Sequence, residues 1–184
     1  MACEITNGLT IDCNGLRKTG GVNKRAFLFN IDDLTDYGYT GTGTSGYINA
    51  LNFESYQGLY EFTSRKEAHS GGYTVVNAGD GGNKYYQHDV QLKLFSDTPT
   101  EDEVLEALLV AEVGIILETN NKEFILYGGF NGMDQDSGNQ NTGQTAESDI
   151  ADVLVFQGEE ELMPKRILVT DYETTKNYLE TLVV

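Results

Sequence analysis

The sequence predicts a mainly β domain, an antiparallel sandwich or partial barrel with one α-helix packed against it. Three observations favour this fold. The segment Tyr85–Phe95 alternates between apolar and polar residues throughout, which is the period of a β-strand. The 184-residue chain has 21 glycines and only two prolines, a composition typical of loop-rich β proteins. Directly after the long strand, Thr98-Pro99-Thr100-Glu101 has the pattern of a helix start.

The long strand has one apolar and one polar face. The apolar face carries Tyr86, His88, Val90, Leu92 and Leu94. The polar face carries Tyr85, Gln87, Asp89, Gln91 and Lys93. Such alternation predicts that one face covers a core and that the other meets water.

Four shorter segments before the long strand also have strand patterns, and a polar stretch separates the first two. The predicted strands are 26–30, 47–53, 59–65 and 73–78. Residues 33–46 are polar and glycine-rich, which predicts a long loop. The turn 79–83 contains three glycines, so we expect residues 73–95 to form one hairpin.

The predicted helix spans residues 99–112, with Thr98 as its N-cap. Its apolar residues lie four positions apart in pairs, which places them on one helical face. Those residues are Val104, Leu105, Leu108 and Leu109. We therefore predict that this helix packs on the sheet.

The second half of the chain continues with strands. We predict strands at 113–118, 124–127, 150–156 and 166–169, the first two forming a second hairpin. Residues 131–148 contain few apolar side chains and are predicted to be a long loop. The tail 171–184 is either a terminal helix or an extended arm, and Thr170–Glu173 resembles a capping box. The whole of 1–184 is thus interpreted as a single β domain.

The charge of the chain limits its partners. The sequence has 12 Lys and Arg against 29 Asp and Glu, a formal net charge of −17. Such a protein repels phosphate backbones and anionic lipid surfaces. We also expect neither a signal peptide nor membrane anchoring, and hence synthesis in a cytoplasm. There Cys3 and Cys13 should remain thiols rather than form a disulfide.

Several motifs resemble functional sites but lack an essential part. The glycine-rich segment 41–46 matches a nucleotide fingerprint, yet a strand pattern follows it where a helix is required. Asp134 and Asp136 precede Gly138, which stands where a calcium loop needs another oxygen ligand. The acidic run 159–161 is interpreted as a solvated turn or as a surface that faces a basic patch on another subunit. We therefore predict no metal and no cofactor.

The two histidines do not form a catalytic arrangement with any neighbouring motif. His88 is on the apolar face of the long strand, so we expect it to pack in the core or in an interface. His69 is in a polar turn. The spacing of Cys3, Cys13 and these histidines lacks a C-x-x-C or H-x-x-x-H pattern and does not favour zinc. No nucleophile or metalloprotease motif is present, so we predict no catalytic residues and a protein that is not an enzyme.

Short motifs near both ends of the chain resemble a family of virion proteins. The first group is Met1-Ala2-Cys3, Ile5-Thr6, Gly8, Asp12-Cys13 and Gly20-Gly21. The second is Leu126-Tyr127-Gly128, Gly132-Met133-Asp134, Ser137-Gly138, Gly143 and the segment 152–160, DVLVFQGEE. With the central capped helix between two hairpins, they resemble tail tube and related structural proteins of tailed phages that infect Bacteroidetes.

The resemblance implies a fold of the tail-tube type and a role in self-assembly. Six copies would join into a ring, and stacked rings would form a tube that conducts DNA as transient cargo and contacts other virion proteins. The protein would then be located in the virion. Two alternatives remain open: another ring-forming tail or head–tail connector protein, and a β-sandwich module that binds a ligand or carbohydrate.

Overall fold

The computed structural model describes residues 20–41, 46–65, 67–78, 83–95, 98–141 and 151–184. Within these ranges the protein is mainly β, with two sheets, two α-helices and no sheet closed into a barrel. The first strands are β1 (Val22–Asn30), β2 (Leu34–Tyr39), β3 (Ile48–Phe53), β4 (Tyr60–Thr63), β5 (Ser70–Ala78) and β6 (Asn83–Leu94). After helix α1 (Pro99–Leu108) come β7 (Val113–Thr119), β8 (Phe124–Tyr127), β9 (Asp134–Asn141), β10 (Ala151–Glu160), β11 (Lys165–Ile167) and helix α2 (Tyr172–Thr181).

The strands form a sandwich of two unequal sheets. The larger has seven strands in the order β2-β3-β11-β8-β7-β1-β4, and only the β3–β11 pair is parallel. The smaller has four antiparallel strands in the order β5-β6-β10-β9. The predicted mainly β, sandwich-like fold is therefore confirmed, as are the hairpins β5–β6 and β7–β8.

The seven-stranded sheet is covered on both faces. One face packs on the four-stranded sheet and α1 through Ala26, Leu28, Ile115 and Leu117. The other face packs on α2, where Phe27, Phe29, Ile116 and Leu179 are buried together. Residues 113–118 of β7 are consequently all buried, and this strand lacks the polar alternation of β6.

The strands of the two sheets cross one another. The Ser64 hydroxyl, just after edge strand β4, donates to the Lys93 carbonyl. The Gly128 amide, at the end of β8, donates to His88 over 3.0 Å. Strand β6 thus contacts β8 at His88 and the end of β4 at Lys93. Since β4 and β8 lie three positions apart in the larger sheet, β6 runs across the strands of that sheet. Crossed packing of this kind is typical of orthogonal sandwiches.

Helix α1 begins where the sequence predicts but is shorter. The Thr98 hydroxyl accepts from the Glu101 amide, and the Glu101 carboxylate accepts from the Thr98 amide, which completes a capping box. The helix ends at Leu108 instead of residue 112. Leu108 is buried and Leu105 partly so, but Val104 and Leu109 are 44% and 63% exposed, so the predicted four-residue apolar face was wrong for those two.

The C-terminal segment is a helix, which settles the choice between helix and arm for residues 172–181. Its N-cap is Asp171, whose carboxylate accepts from the Thr174 amide over 2.8 Å. The predicted box at Thr170–Glu173 was therefore one residue out of register.

Two predicted loops contain strands. Strand β2 lies within 33–46 and β9 lies within 131–148, while 42–45 and 142–150 are outside the described residues. Both strands are polar, and each is hydrogen-bonded along only one side, to β3 and β10 respectively. A polar edge strand lacks the apolar alternation from which a strand is predicted.

Candidate assembly surfaces

His88 is buried and has a defined neutral form. The Gly128 amide donates to its Nδ1 over 3.0 Å, so Nε2 carries the proton and donates to the Leu162 carbonyl, also at 3.0 Å. Burial lowers the pKa of this imidazole. The predicted core histidine is confirmed. Its Nδ1 contact joins the two sheets, and its Nε2 holds the connection that follows β10.

His69 is buried as well, contrary to its predicted place in a polar turn. The Lys93 amide donates to its Nδ1 over 3.3 Å, and burial lowers its pKa. The ring lies between β6 of the smaller sheet and Lys24 of β1 in the larger sheet, so segments distant in sequence enclose it.

Glu160 corrects the interpretation of the acidic run 159–161 as a solvated turn. Its side chain is 1% exposed and accepts from the amides of Phe130 and Asn131, at 3.0 and 3.1 Å. Burial raises the pKa of this carboxyl group. Glu160 and His88 thus both hold the turn 128–131, which links the end of β8 to the smaller sheet.

The remaining motifs do not converge on a site in the described part of the chain. Asp134 and Asp136 lie on strand β9, and no group of three metal-ligating side chains is found among the described residues. Cys3 and Cys13 lie outside the described residues, as do positions 42–45 of the glycine-rich segment.

The most unusual surface feature is the edge strand β5. It is nine residues long, contains neither a charged residue nor proline, and is exposed along most of its length. Edge strands usually carry charge, proline or a cover, because an open strand edge pairs with other chains. The sequence predicts a hairpin at 73–95 but does not indicate that its first strand is an edge.

The other three edges differ from β5. At the far side of the smaller sheet, β9 has eight residues and carries Asp134 and Asp136 at its start. In the larger sheet, β4 has only four residues and includes Glu61, which is paired with Arg25 at 2.6 Å. The six residues of β2 include Asp36. Only the smaller sheet therefore has two long edges.

The outer face of the four-stranded sheet is polar along β6, and the neighbouring strands add Val76, Val153 and Val155 to it. The β6 residues of this face are those that the alternation predicts: Tyr85, Gln87, Asp89, Gln91 and Lys93. The Gln87 amide nitrogen lies 3.1 Å from Gln157 Oε1 on β10 and 3.4 Å from Asp89 Oδ1. Amide pairs of this kind give a hydrated surface of low charge in a strongly acidic chain.

A groove opens between the hairpin β5–β6 and the larger sheet. Its volume is about 710 Å³, and we call it the aromatic groove. The side chains that define it are Tyr47, Tyr73, Ile125, Tyr127, Met163 and Arg166. Tyr47, Tyr73 and Met163 are between 41% and 47% exposed, so the groove presents apolar surface to solvent.

Helix α1 forms a second exposed apolar surface, beyond the C-terminal end of β6. Leu109 is 63% exposed and Val110 is 85% exposed, directly after the helix. The exposed carboxylates of Glu103 and Glu106 lie on the helix before them. We call these four residues the helix surface.

Comparison of the chain with protein-family models, with curated proteins and with solved structures finds no match. The function therefore has to be inferred from the geometry of the chain itself. No helix in the described residues is long and apolar enough to cross a membrane.

Proposed function

We propose that the protein is a virion structural protein, the tail tube subunit of a tailed phage, which self-assembles into stacked rings. The observation that carries the proposal is the long, uncharged and exposed edge strand β5. An uncovered strand edge of this kind readily pairs with a strand of another chain. A second copy of the chain can provide that strand.

The smaller sheet has the geometry to extend from copy to copy. Because β5-β6-β10-β9 is antiparallel throughout, its two edge strands run in opposite directions. Strand β5 of one copy can therefore lie beside β9 of the next and continue the antiparallel pattern. Repetition of this head-to-tail contact closes into a ring, which leaves no open edge.

The resemblance to tail tube proteins implies six copies, and four strands from each make a closed sheet of 24 strands. At about 4.8 Å between strands, its circumference is about 115 Å. Barrels of roughly 16–18 strands already enclose an aqueous channel. A ring of this size would have a wide lumen.

The outer face of the smaller sheet, which is polar along β6, suits the wall of that lumen. The opposite face is already buried against the larger sheet, so only the face with Gln87, Asp89 and Gln91 can line a channel. DNA passing through should meet few cations, because each Lys or Arg on a phosphate releases counterions and adds affinity. A hydrated, amide-rich wall would let a duplex slide.

In this proposal the partners are other copies of the chain and other virion proteins, DNA is transient cargo, and the location is the virion. A different ring-forming tail or head–tail connector protein would use the same edges.

The aromatic groove favours the other candidate, a module that binds a carbohydrate or another small ligand, because tyrosine faces are suited to stacking on sugar rings.

The proposal is tested by the assembly state of the pure protein and of one edge variant. Val75 is exposed at the middle of β5, and Val75→Lys places a charge on the edge that would pair. The matched control is Val184→Lys, a similarly exposed valine at the C-terminal end of the described chain. Light scattering measures mass, and negative-stain microscopy reveals rings or tubes.

We expect rings or tubes from the unmodified protein and from Val184→Lys, and a folded monomer from Val75→Lys. Rings that form equally well with Val75→Lys would exclude β5 as the assembly edge. A stable monomer of the unmodified protein that binds sugars, with binding reduced by Tyr73→Ala, would favour the ligand-binding alternative.

A further inference from the structure

Two exposed apolar surfaces of the molecule lie at different positions along the smaller sheet. Tyr73 of the aromatic groove pairs with His88, at the middle of β6, whereas α1 begins just after β6 ends at Leu94. The strand rises about 3.3 Å per residue, so the two positions are roughly 20 Å apart along β6.

The two surfaces are complementary in charge. Arg166 lies in the aromatic groove with its side chain 47% exposed, and its ion pair with Glu123 is long, at 3.8 Å. The helix surface carries Glu103 and Glu106 beside its exposed Leu109 and Val110. An acidic apolar surface fits a groove that combines tyrosines with a cation.

We propose that the helix surface of one copy docks in the aromatic groove of a copy in the adjacent ring, and that this contact stacks rings into a tube. The inference rests on the proposed function, because it requires the smaller sheets to form the ring. The partner is thus a second copy of this chain.

The direction of the strands explains why this contact joins rings rather than neighbours within a ring. In a closed barrel the strands tilt by about 35–45° from the axis, so their two ends face opposite ways along the tube. The edges β5 and β9 are used around the ring. The helix surface, beyond the C-terminal end of β6, therefore faces an adjacent ring, and the aromatic groove, level with the middle of β6, remains available to receive the helix surface of the ring on the other side.

The contact is tested by charge reversal on each side. Arg166→Glu makes the groove acidic, and Glu106→Arg makes the helix surface basic. The matched controls are Lys122→Glu and Glu173→Arg, which change the net charge equally at exposed positions outside both surfaces. Rings are counted by mass photometry, and tubes by negative-stain microscopy over a range of protein concentrations.

We expect both test variants to form rings that do not stack and both controls to form normal tubes. Loss of six identical contacts at once should lower the ring–ring association constant about 100-fold or more, even if each contact is weak. A mixture of the two test variants should restore tubes, because rings of one kind alternate with rings of the other and every contact becomes complementary.

Two results would overturn the inference. One is normal tube formation by Arg166→Glu or Glu106→Arg, and the other is an equal loss of tubes in the controls. If the unmodified protein forms no rings, the proposed function is wrong, and the stacking contact is wrong with it. If rings form but the charge reversals do not affect stacking, only the stacking contact is wrong.

Discussion

The two sheets of this protein are built for different surroundings. The seven-stranded sheet is buried on both faces, and its edge strands are short or carry charge. The four-stranded sheet is buried on one face, presents amides and few charges on the other, and ends in two long exposed strands. The larger sheet completes its packing within one chain, whereas the smaller one leaves edges that a second chain can pair.

This difference indicates a division of labour. The buried strand β7, with Ile115, Ile116 and Leu117, provides stability without contact to any partner. The smaller sheet depends on the larger one for its inner face, so it can keep open edges and remain folded.

The largest effect should come from the inner face of β6. Leu92 is fully buried and Gln91, the preceding residue, is exposed. In monomeric protein, Leu92→Ala should lower the free energy of unfolding by about 2–5 kcal/mol through the lost contacts and the cavity. Gln91→Ala should change it by less than about 0.5 kcal/mol. Urea unfolding measures both, and similar losses would mean that the two faces of the sheet are not distinct.

An intermediate effect should come from pH acting on His88. Burial lowers its pKa in the folded subunit below the ordinary 6.5, so the unfolded chain binds more protons between the two values. Stability is therefore complete above about pH 6.5 and falls as the pH drops through 6.5 toward the folded-state pKa. The slope from this one group cannot exceed about 1.4 kcal/mol per pH unit.

His88→Gln should flatten this part of the stability profile. His69→Gln is the matched comparison, because burial lowers the pKa of His69 in the same direction. Urea unfolding at a series of pH values measures the slopes. An unchanged slope in His88→Gln would show that this imidazole does not attach the smaller sheet in its neutral form.

The smallest effect should come from the cap of α1, the helix that closes one side of the space between the sheets. Thr98→Ala removes the hydroxyl that accepts from the Glu101 amide and should lower stability by about 1 kcal/mol. Thr100→Ala, within the same helix, is the control and should have almost no effect. Thermal unfolding compares them, and equal melting temperatures would mean that the capping box contributes nothing.

Some features of the fold could be predicted because their causes are local. The alternation of β6 follows from a strand with one buried face and one solvent-exposed face. The α1 cap needs only Thr98 and Glu101. The burial of Glu160 and His69 could not be predicted, because each is enclosed by segments distant in sequence. The strands β2 and β9 were missed because polar edge strands need a neighbour, not an apolar pattern, to form.

The sequence by itself determined a mainly β chain with a long two-faced hairpin, a capped helix and a strong negative charge, since period, capping and composition are properties of neighbouring residues. Only the tertiary structure decided which strand is an edge. The uncharged segment 70–78 could equally well be an interior strand. Whether it has an open edge for pairing depends on whether a further strand lies beside it. Long-range contacts set the strand order, and they also set the placement of Arg166 among tyrosines and the position of α1 beyond the C-terminal end of β6.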